Sequence, residues 1–504
     1  MSTQSQSSRA TLLTAFALTL PFLAVALATS NPVLTAFAVL VLAAIVVLLH
    51  RPGEPPVLLF VCVMQWLQAV AKVLHADVLG VALHDLPAAH HLGIAAADTI
   101  ERAAALSLTW ALCVAIGMRL ALWGVAARPE ERAPRAEVID APRLLAIYLG
   151  WTLVMLVLGT FARGGVQQFI VAIADLRWAV VYALFWVALR RPRQRVWLVP
   201  IFLVEVMAGF LSFFASFRTP VFLLGLAVAS GSVRVRTRHM VGLAVVGVFA
   251  LYLGVVWSAI KGEYRTALNR GSGEQVIAIG QGAQFAELTR LIARVDGATL
   301  EDGLERLVDR IGYIDYFAYC LEHVPAIQPH EGGLLWRNAV AHVLQPRLFF
   351  PGKPELESDT ILTERYTGLD LMSWTETTSV ALGMPAEAYV DFGLPWMFVA
   401  GIWIGLLCGW LQRVAVRGGP DALLRDGLAV ALLLPLAGLE PSTTKFFGGY
   451  LTRALVATAL WMGALRRAAA WVHARAPRAP AAVAAAARPA PAPQPPRQLS
   501  RLAR

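Results

Sequence analysis

The sequence predicts an all-α, polytopic membrane protein of about twelve transmembrane helices with one large, mostly helical periplasmic loop. Three observations predict it. Apolar runs recur from Thr11 to about Val125, from Leu144 to Ile260 and from Tyr389 to about Leu465, in stretches near the ~20 residues that carry a helix across a bilayer core. The pattern stops once, between Lys261 and Pro385. Arginine clusters fall in every second break between runs and so mark one side.

The chain is 58% hydrophobic and 15% charged over 504 residues, with a mean hydropathy of +0.61. A soluble chain of this length does not need so apolar a surface. The net charge of +10 is placed in short loops, where basic residues set membrane orientation; it does not point to nucleic acid. Cys62, Cys113, Cys320 and Cys408 share no metal-ligand spacing and read as small hydrophobes with no disulfide framework.

Taken in order, the expected spans are 11–29, 33–50, 56–75, 98–125, 143–162, 171–190, 196–217, 219–233, 239–260, 389–412, 427–441 and 449–466. The first follows Arg9 and has the outline of a signal peptide; the number of further spans favours a retained helix. Arg51, then Arg128, Arg132, Arg135 and Arg143, then Arg190, Arg191, Arg193 and Arg195 follow even-numbered spans. So do Arg234, Arg236 and Arg238, then Arg413, Arg417 and Arg425, then Arg466 and Arg467. Both termini are then cytoplasmic, and the 261–385 loop faces the opposite side, in a bacterium the periplasm. The organisation is a bundle over 1–260, the loop over 261–385, three further helices over 386–467 and an Ala/Pro/Arg-rich tail over 468–504. The tail lacks the apolar residues for a core.

Two amphipathic patterns open the loop, Glu274–Val295 and Leu300–His323, separated at Gly297. The second carries Arg306, Arg310, Tyr313, Asp315, Tyr316 and Tyr319. Arginine beside tyrosine suits carbohydrate, because rings stack on sugar faces while polar tips bond hydroxyls. A membrane-surface helix with interfacial tyrosines gives the same pattern. Prolines 346, 351 and 354 then forbid a continuous helix.

The stretch PRLFFPGKP at 346–354, a Thr/Ser-rich segment, and AEAYVDFGLPWMFVAGIWIGLLCG at 386–409 together resemble bacterial oligosaccharide repeat-unit polymerases, the Wzy-like O-antigen and exopolysaccharide polymerases. The Ser-x-Arg-Thr-Pro turn at 216–220 and the Glu387, Tyr389, Asp391, Phe392, Gly393 pattern are part of that likeness, which covers about residues 11–466. The resemblance implies glycosyl transfer at the periplasmic face of the inner membrane, from undecaprenyl-diphosphate-linked oligosaccharide, without a nucleotide sugar, metal or other cofactor. It also implies a flippase and a chain-length regulator as partners beside the bilayer. An O-antigen ligase-type transferase shares this plan. A lipid-linked glycan transporter is a third reading, against which no inverted repeat is visible. A fourth is a non-catalytic assembly component.

Such a transfer needs cations for the leaving diphosphate and a base for the acceptor hydroxyl. Arginine forks bind phosphate bidentately. Basic residues on the outer side run against the insertion bias: Lys72, Arg163, Arg177, Arg218, Lys261, Arg265, Lys445 and Arg453. Arg218, in a tight hairpin, is expected to be catalytic, against a snorkelling anchor. Arg265, Arg347, Lys353, Tyr389, Asp391, Arg310 and Tyr313 are the substrate-binding candidates. Glu387 is the expected base, since partial desolvation raises a carboxylate towards neutral; the alternative is a carboxylate that stabilises a helix N-terminus. Glu205 is an intramembrane carboxylate. The histidines between His75 and His91 lack zinc spacing.

Overall fold

A computed structural model describes residues 19–51, 53–86, 97–125, 141–161, 170, 173–211, 217–230, 237–272, 277–345, 350, 352, 357–371, 380–417 and 422–460. Among them every regular element is helical and no strand occurs. Seven helical stretches are long and apolar enough to cross a membrane: Pro32–Leu49, Val57–Leu79, Thr99–Ala121, Ala141–Phe161, Arg193–Leu211, Ala244–Leu268 and Trp396–Ala415. The protein is therefore a membrane protein by length and composition of its helices.

The first helices are α1 (Pro32–Leu49), α2 (Val57–Leu79), α3 (Ala97–Ala121) and α4 (Ala141–Phe161). Proline at the first turn opens α1, where no helical hydrogen bond is lost. Asp77 of α2 holds that end: it accepts from the Asn31 backbone at 3.0 Å and from the Thr35 hydroxyl at 2.6 Å. Leu153 and Leu156 of α4 are 62% and 67% exposed, as a lipid-facing helix requires.

Next come α5 (Arg177–Arg190), α6 (Leu198–Leu211), α7 (Arg218–Ala229) and α8 (Thr237–Leu268). Helix α5 is buried on nearly every side, from Val181 to Ala188, the state expected of a helix apolar all round. The segment after α8 holds α9 (Gln281–Ile292), α10 (Gly297–Ile311), α11 (Asp315–His323), α12 (Leu334–Leu344) and α13 (Asp359–Thr367). The chain ends in α14 (Met384–Phe392), α15 (Trp396–Arg417), α16 (Ala422–Leu433), a π-helical turn Lys445–Leu451 and α17 (Thr452–Leu460). Helices α3 and α15 form the most extensive packing in the molecule. A Cβ on Gly117 would stand 2.1 Å from the Ile402 carbonyl oxygen, and one on Gly405 2.1 Å from that of Val114. Small residues let the two backbones touch, the usual solution between membrane helices.

Several expected boundaries move. The span expected at 389–412 starts at Trp396; residues 384–392 are a separate helix, closed by Gly393 at φ 64°. The span expected to end at 260 runs on to Leu268, so Lys261 and Arg265 lie on its last turns and not in a loop. The 300–323 pattern is two helices, broken at Gly312. The 427–441 span is α-helical to Leu433 and ends in a 3-10 turn at Leu436, and α5 and α7 have 14 and 12 residues. Periodicity sees apolar runs but not where a buried chain turns back on itself. The segment 346–349 with Arg347, the neighbouring Lys353 and the tail from 468 lie outside the described residues.

Candidate functional site

The break between α10 and α11 organises the site. Lys72 of α2 is 2% exposed and bridges the break, with Nζ 3.1 Å from Asp309 and 2.5 Å from Asp315. A buried ammonium needs such partners, since an uncompensated one costs several kcal/mol. Glycine, a poor helix former, is where the helix gives way. The Tyr313 N–H then donates to the Gln68 carbonyl at 2.9 Å, so the loop beyond the break is tied to α2 twice.

Helix α10 lies along α8 because Gly303 permits it: a Cβ there would stand 2.7 Å from the Val255 carbonyl oxygen. This close approach sets two ladders side by side. Lys261 and Arg265 are one helical turn apart on α8, and Arg306 and Arg310 one turn apart on α10. The charge of Arg310 acts on Arg265, and Arg265, Arg306 and Arg310 all act on Lys261. Arg218, exposed at the start of α7, acts on Arg310 in turn. Five cations from three helices thus form one arc. Burial holds the Arg310 guanidinium below its ordinary value, Glu440 offsets part of that, and Arg218 adds to the depression.

Facing the arc is the turn Gly438–Thr444. Its backbone is fixed at three points. The Leu439 N–H donates to the Gln68 side-chain oxygen. The Leu439 carbonyl accepts from Met384 at 2.9 Å. The Thr443 N–H donates to Glu387 at 2.7 Å. Glu440 projects from this turn, half-buried, and its charge acts on Arg310, Lys261, Tyr313 and Tyr316.

Glu387 lies behind the turn. It is 4% exposed, and burial pushes its carboxyl up to about 7, opposed by the Thr443 hydrogen bonds and aided by the charges of Asp359 and Asp391. Tyr313 stands between the two regions. Its hydroxyl donates to the Ala381 carbonyl. Burial, then Glu440, Tyr316, Asp359 and Glu387, raise its phenol well above the ordinary range.

Of the residues expected from sequence, Arg218, Arg265, Arg310 and Tyr313 are brought together. Tyr389 and Asp391 are engaged elsewhere. The Tyr389 hydroxyl donates to the Val324 carbonyl at 3.0 Å. Asp391 is fully buried and accepts from the Leu335 and Trp336 N–H groups at 3.0 and 2.8 Å, where it satisfies the start of α12. Arg347 and Lys353 lie outside the described residues. Other members of the outer-side list also find internal roles. Lys72 pins the helix break, Arg453 meets Asp175 at 3.4 Å and Lys445 meets Asp359 at 2.5 Å. Glu205 accepts from the Tyr148 hydroxyl. Among the described residues no group of three or more metal-ligating side chains converges. Sequence reasoning missed Glu440, because it sits at the end of a stretch read as an apolar span; the Pro-Ser-Thr-Thr run after it was the available signal.

Comparison with known proteins finds one match. A family described as a domain of unknown function (DUF8712) matches residues 111–418. No curated protein and no solved structure matches the chain. The matched segment contains all five cations of the arc and stops before Glu440. It takes in well over half of the 504 residues, and the chain belongs to the DUF8712 family.

Proposed function

We propose that the protein is a membrane glycosyltransferase that polymerises undecaprenyl-diphosphate-linked oligosaccharide repeat units, as an O-antigen or exopolysaccharide polymerase. The observation that carries this reading is the cationic arc of Arg218, Lys261, Arg265, Arg306 and Arg310. Among the described residues, none of Arg218, Lys261, Arg306 and Arg310 has a carboxylate within ion-pair distance. These four like charges, crowded together, repel, and a polyanion relieves the repulsion. A diphosphate matches the arc in charge and in its demand for planar, bidentate donors.

The arc sits at the end of a long apolar helix, α8, where a lipid-anchored phosphate is held at headgroup depth. Tyr313 and Tyr316, with ring centroids 5.7 Å apart, supply an aromatic face beside it for a sugar. The arginines neutralise the departing diphosphate as the bond to the anomeric carbon breaks. In this reading the chain has twelve spans in the bacterial inner membrane, both termini are cytoplasmic, and the arc is periplasmic. A flippase delivers the repeat units and a chain-length regulator limits their number.

Deletion of the gene followed by glycan sizing on a gel tests the reading. Loss of the long-chain ladder, restored by the wild-type chain and not by Arg218→Ala at equal protein level, is the expected result. An unchanged ladder on deletion removes the polymerase assignment. Cysteines placed at Ser272 and Ser358 are expected to label from outside and one at Ser232 to resist; the reverse pattern overturns the topology.

A further inference from the structure

We infer that Glu440 is the general base of the proposed transfer. The inference rests on the glycosyltransferase reading and supplies the residue that reading lacks. Two carboxylates lie near the arc, and their settings differ. Glu387 is almost wholly buried, and its Oε2 is occupied by the Thr443 N–H at 2.7 Å. Glu440 is half-exposed and accepts no hydrogen bond among the described residues. Its place is nevertheless fixed. The backbone on either side is held by Gln68 through the Leu439 N–H, by Met384 through the Leu439 carbonyl, and by Glu387 through the Thr443 N–H. Gly383 closes the same point: at φ +89°, a Cβ there would meet the Leu439 carbonyl oxygen at 2.9 Å and the Tyr313 ring at 3.1 Å. A carboxylate free at its tip and rigid at its root is what a positioned base requires.

Glu440 also faces the right partners. Its charge acts on Arg310 and Lys261 of the arc and on Tyr313 and Tyr316, and the Tyr313 ring and the Leu439 carbonyl both pack against Gly383. A diphosphate on the arc therefore sets the anomeric carbon near Glu440, and an acceptor sugar against the tyrosines brings its hydroxyl there. The step balances without a further reactant. The acceptor oxygen donates a lone pair to the anomeric carbon and forms the new glycosidic bond. Its proton passes to a Glu440 carboxylate oxygen. The old bond from that carbon to the phosphate oxygen breaks, and the pair leaves with the lipid diphosphate, held by Arg310, Lys261 and Arg265. Glu440 then releases the proton to solvent.

A carboxylate that served only as a counter-charge to the arginines would behave differently, since its loss would tighten anion binding and spare turnover. The full chain is reconstituted in nanodiscs and titrated with undecaprenyl diphosphate, while glycan extension is read in cells as the ladder. Glu440→Gln is expected to lower extension by about 100-fold or more and to bind undecaprenyl diphosphate as tightly as wild type or tighter. Full extension by Glu440→Gln overturns the inference, and so does loss of undecaprenyl diphosphate binding together with extension. If Glu440→Gln does not fold, Glu440→Asp carries the test, since it keeps the charge on a shorter arm. It is expected to extend measurably, and a folded Glu440→Asp chain without extension overturns the assignment. Failure of the underlying reading looks different: Arg310→Ala would then bind undecaprenyl diphosphate as wild type does, whatever Glu440→Gln does.

Discussion

Asp309 and Arg310 are neighbours on α10, and they look into two different kinds of site. Asp309 faces Lys72, a cation 2% exposed and matched by two carboxylates at 3.1 and 2.5 Å. Arg310 faces Lys261, Arg265 and Arg218, with one carboxylate, Glu440, set against them. The first region neutralises its charge within the fold, as a buried ion must. In the second, Arg218, Lys261 and Arg310 have no carboxylate within ion-pair distance among the described residues. A helix can carry both because consecutive residues point about 100° apart. A ligand site therefore lies not at the most buried charge, Lys72, which two carboxylates match, but where cations crowd against one another.

The largest expected effect belongs to the balanced side. Lys72→Met leaves Asp315 buried with no cation, and should lower stability by about 3–5 kcal/mol. Chemical unfolding in detergent checks it. Adding Asp315→Asn should recover part of the loss, since the uncompensated charge goes with it. A Lys72→Met chain as stable as wild type would break the comparison at its root, because Lys72 would then be another surplus cation.

The unbalanced side should respond with the opposite sign. Arg310→Ala removes repulsion and, in the proposed reading, a phosphate donor. Its melting temperature should stay level or rise, while undecaprenyl diphosphate binding weakens by about 10- to 100-fold, the worth of one charge-assisted hydrogen bond. Arg310→Lys keeps the charge and loses the fork, and should fall between. Melting curves and titration on the same samples separate the two effects. A large drop in melting temperature for Arg310→Ala would show that the arc is structural.

Much of this arrangement is visible in the sequence, and the division is physical. Long apolar stretches declare themselves, so α1, α2, α3, α4 and α15 fall near their expected places. Arg218 and Arg265 stand out because, in the expected topology, cations at outer helix ends oppose the insertion bias, and Arg310 because it stands beside tyrosines on an amphipathic pattern. What the sequence conceals is pairing across distance. Lys72 and Asp315 are separated by 243 residues, and nothing local marks them as partners. The bonds of Tyr389 to Val324 and of Asp391 to the start of α12 are likewise pairings that no local pattern marks. Glu440 is concealed for the converse reason: it follows an apolar run, and only the folded turn shows that it faces arginines.

Glu387 gives an effect with a definite pH signature. Burial raises its carboxyl to about 7 from an ordinary 4.5. The folded state therefore binds a proton that the unfolded state has lost across that window. The stability is fully present below about pH 4.5 and falls as pH rises through about 7, by about 3 kcal/mol in total. Glu387→Gln should flatten this slope in melting temperature between pH 5 and about 7, measured against the wild-type chain. A slope that survives Glu387→Gln belongs to another group.

The smallest effect tests the geometry that brings the two ladders of the arc together. Gly303→Ala adds one methyl group facing the Val255 carbonyl oxygen at 2.7 Å, backbone that cannot swing aside. Helix α10 must move away from α8, at a cost of about 1–3 kcal/mol, partly offset by the roughly 1 kcal/mol that alanine gains over glycine in a helix. The net stability change should thus be slight. Movement of α10 also carries Arg306 and Arg310 away from Lys261 and Arg265, so undecaprenyl diphosphate binding should weaken several-fold without loss of any charge. Gly262→Ala is the comparison, since a Cβ there meets nothing within 4 Å, and it should raise stability slightly and leave binding as it was. If both alanines behave alike, the spacing of the two helices does not tune the arc, and the cations act independently rather than as one site.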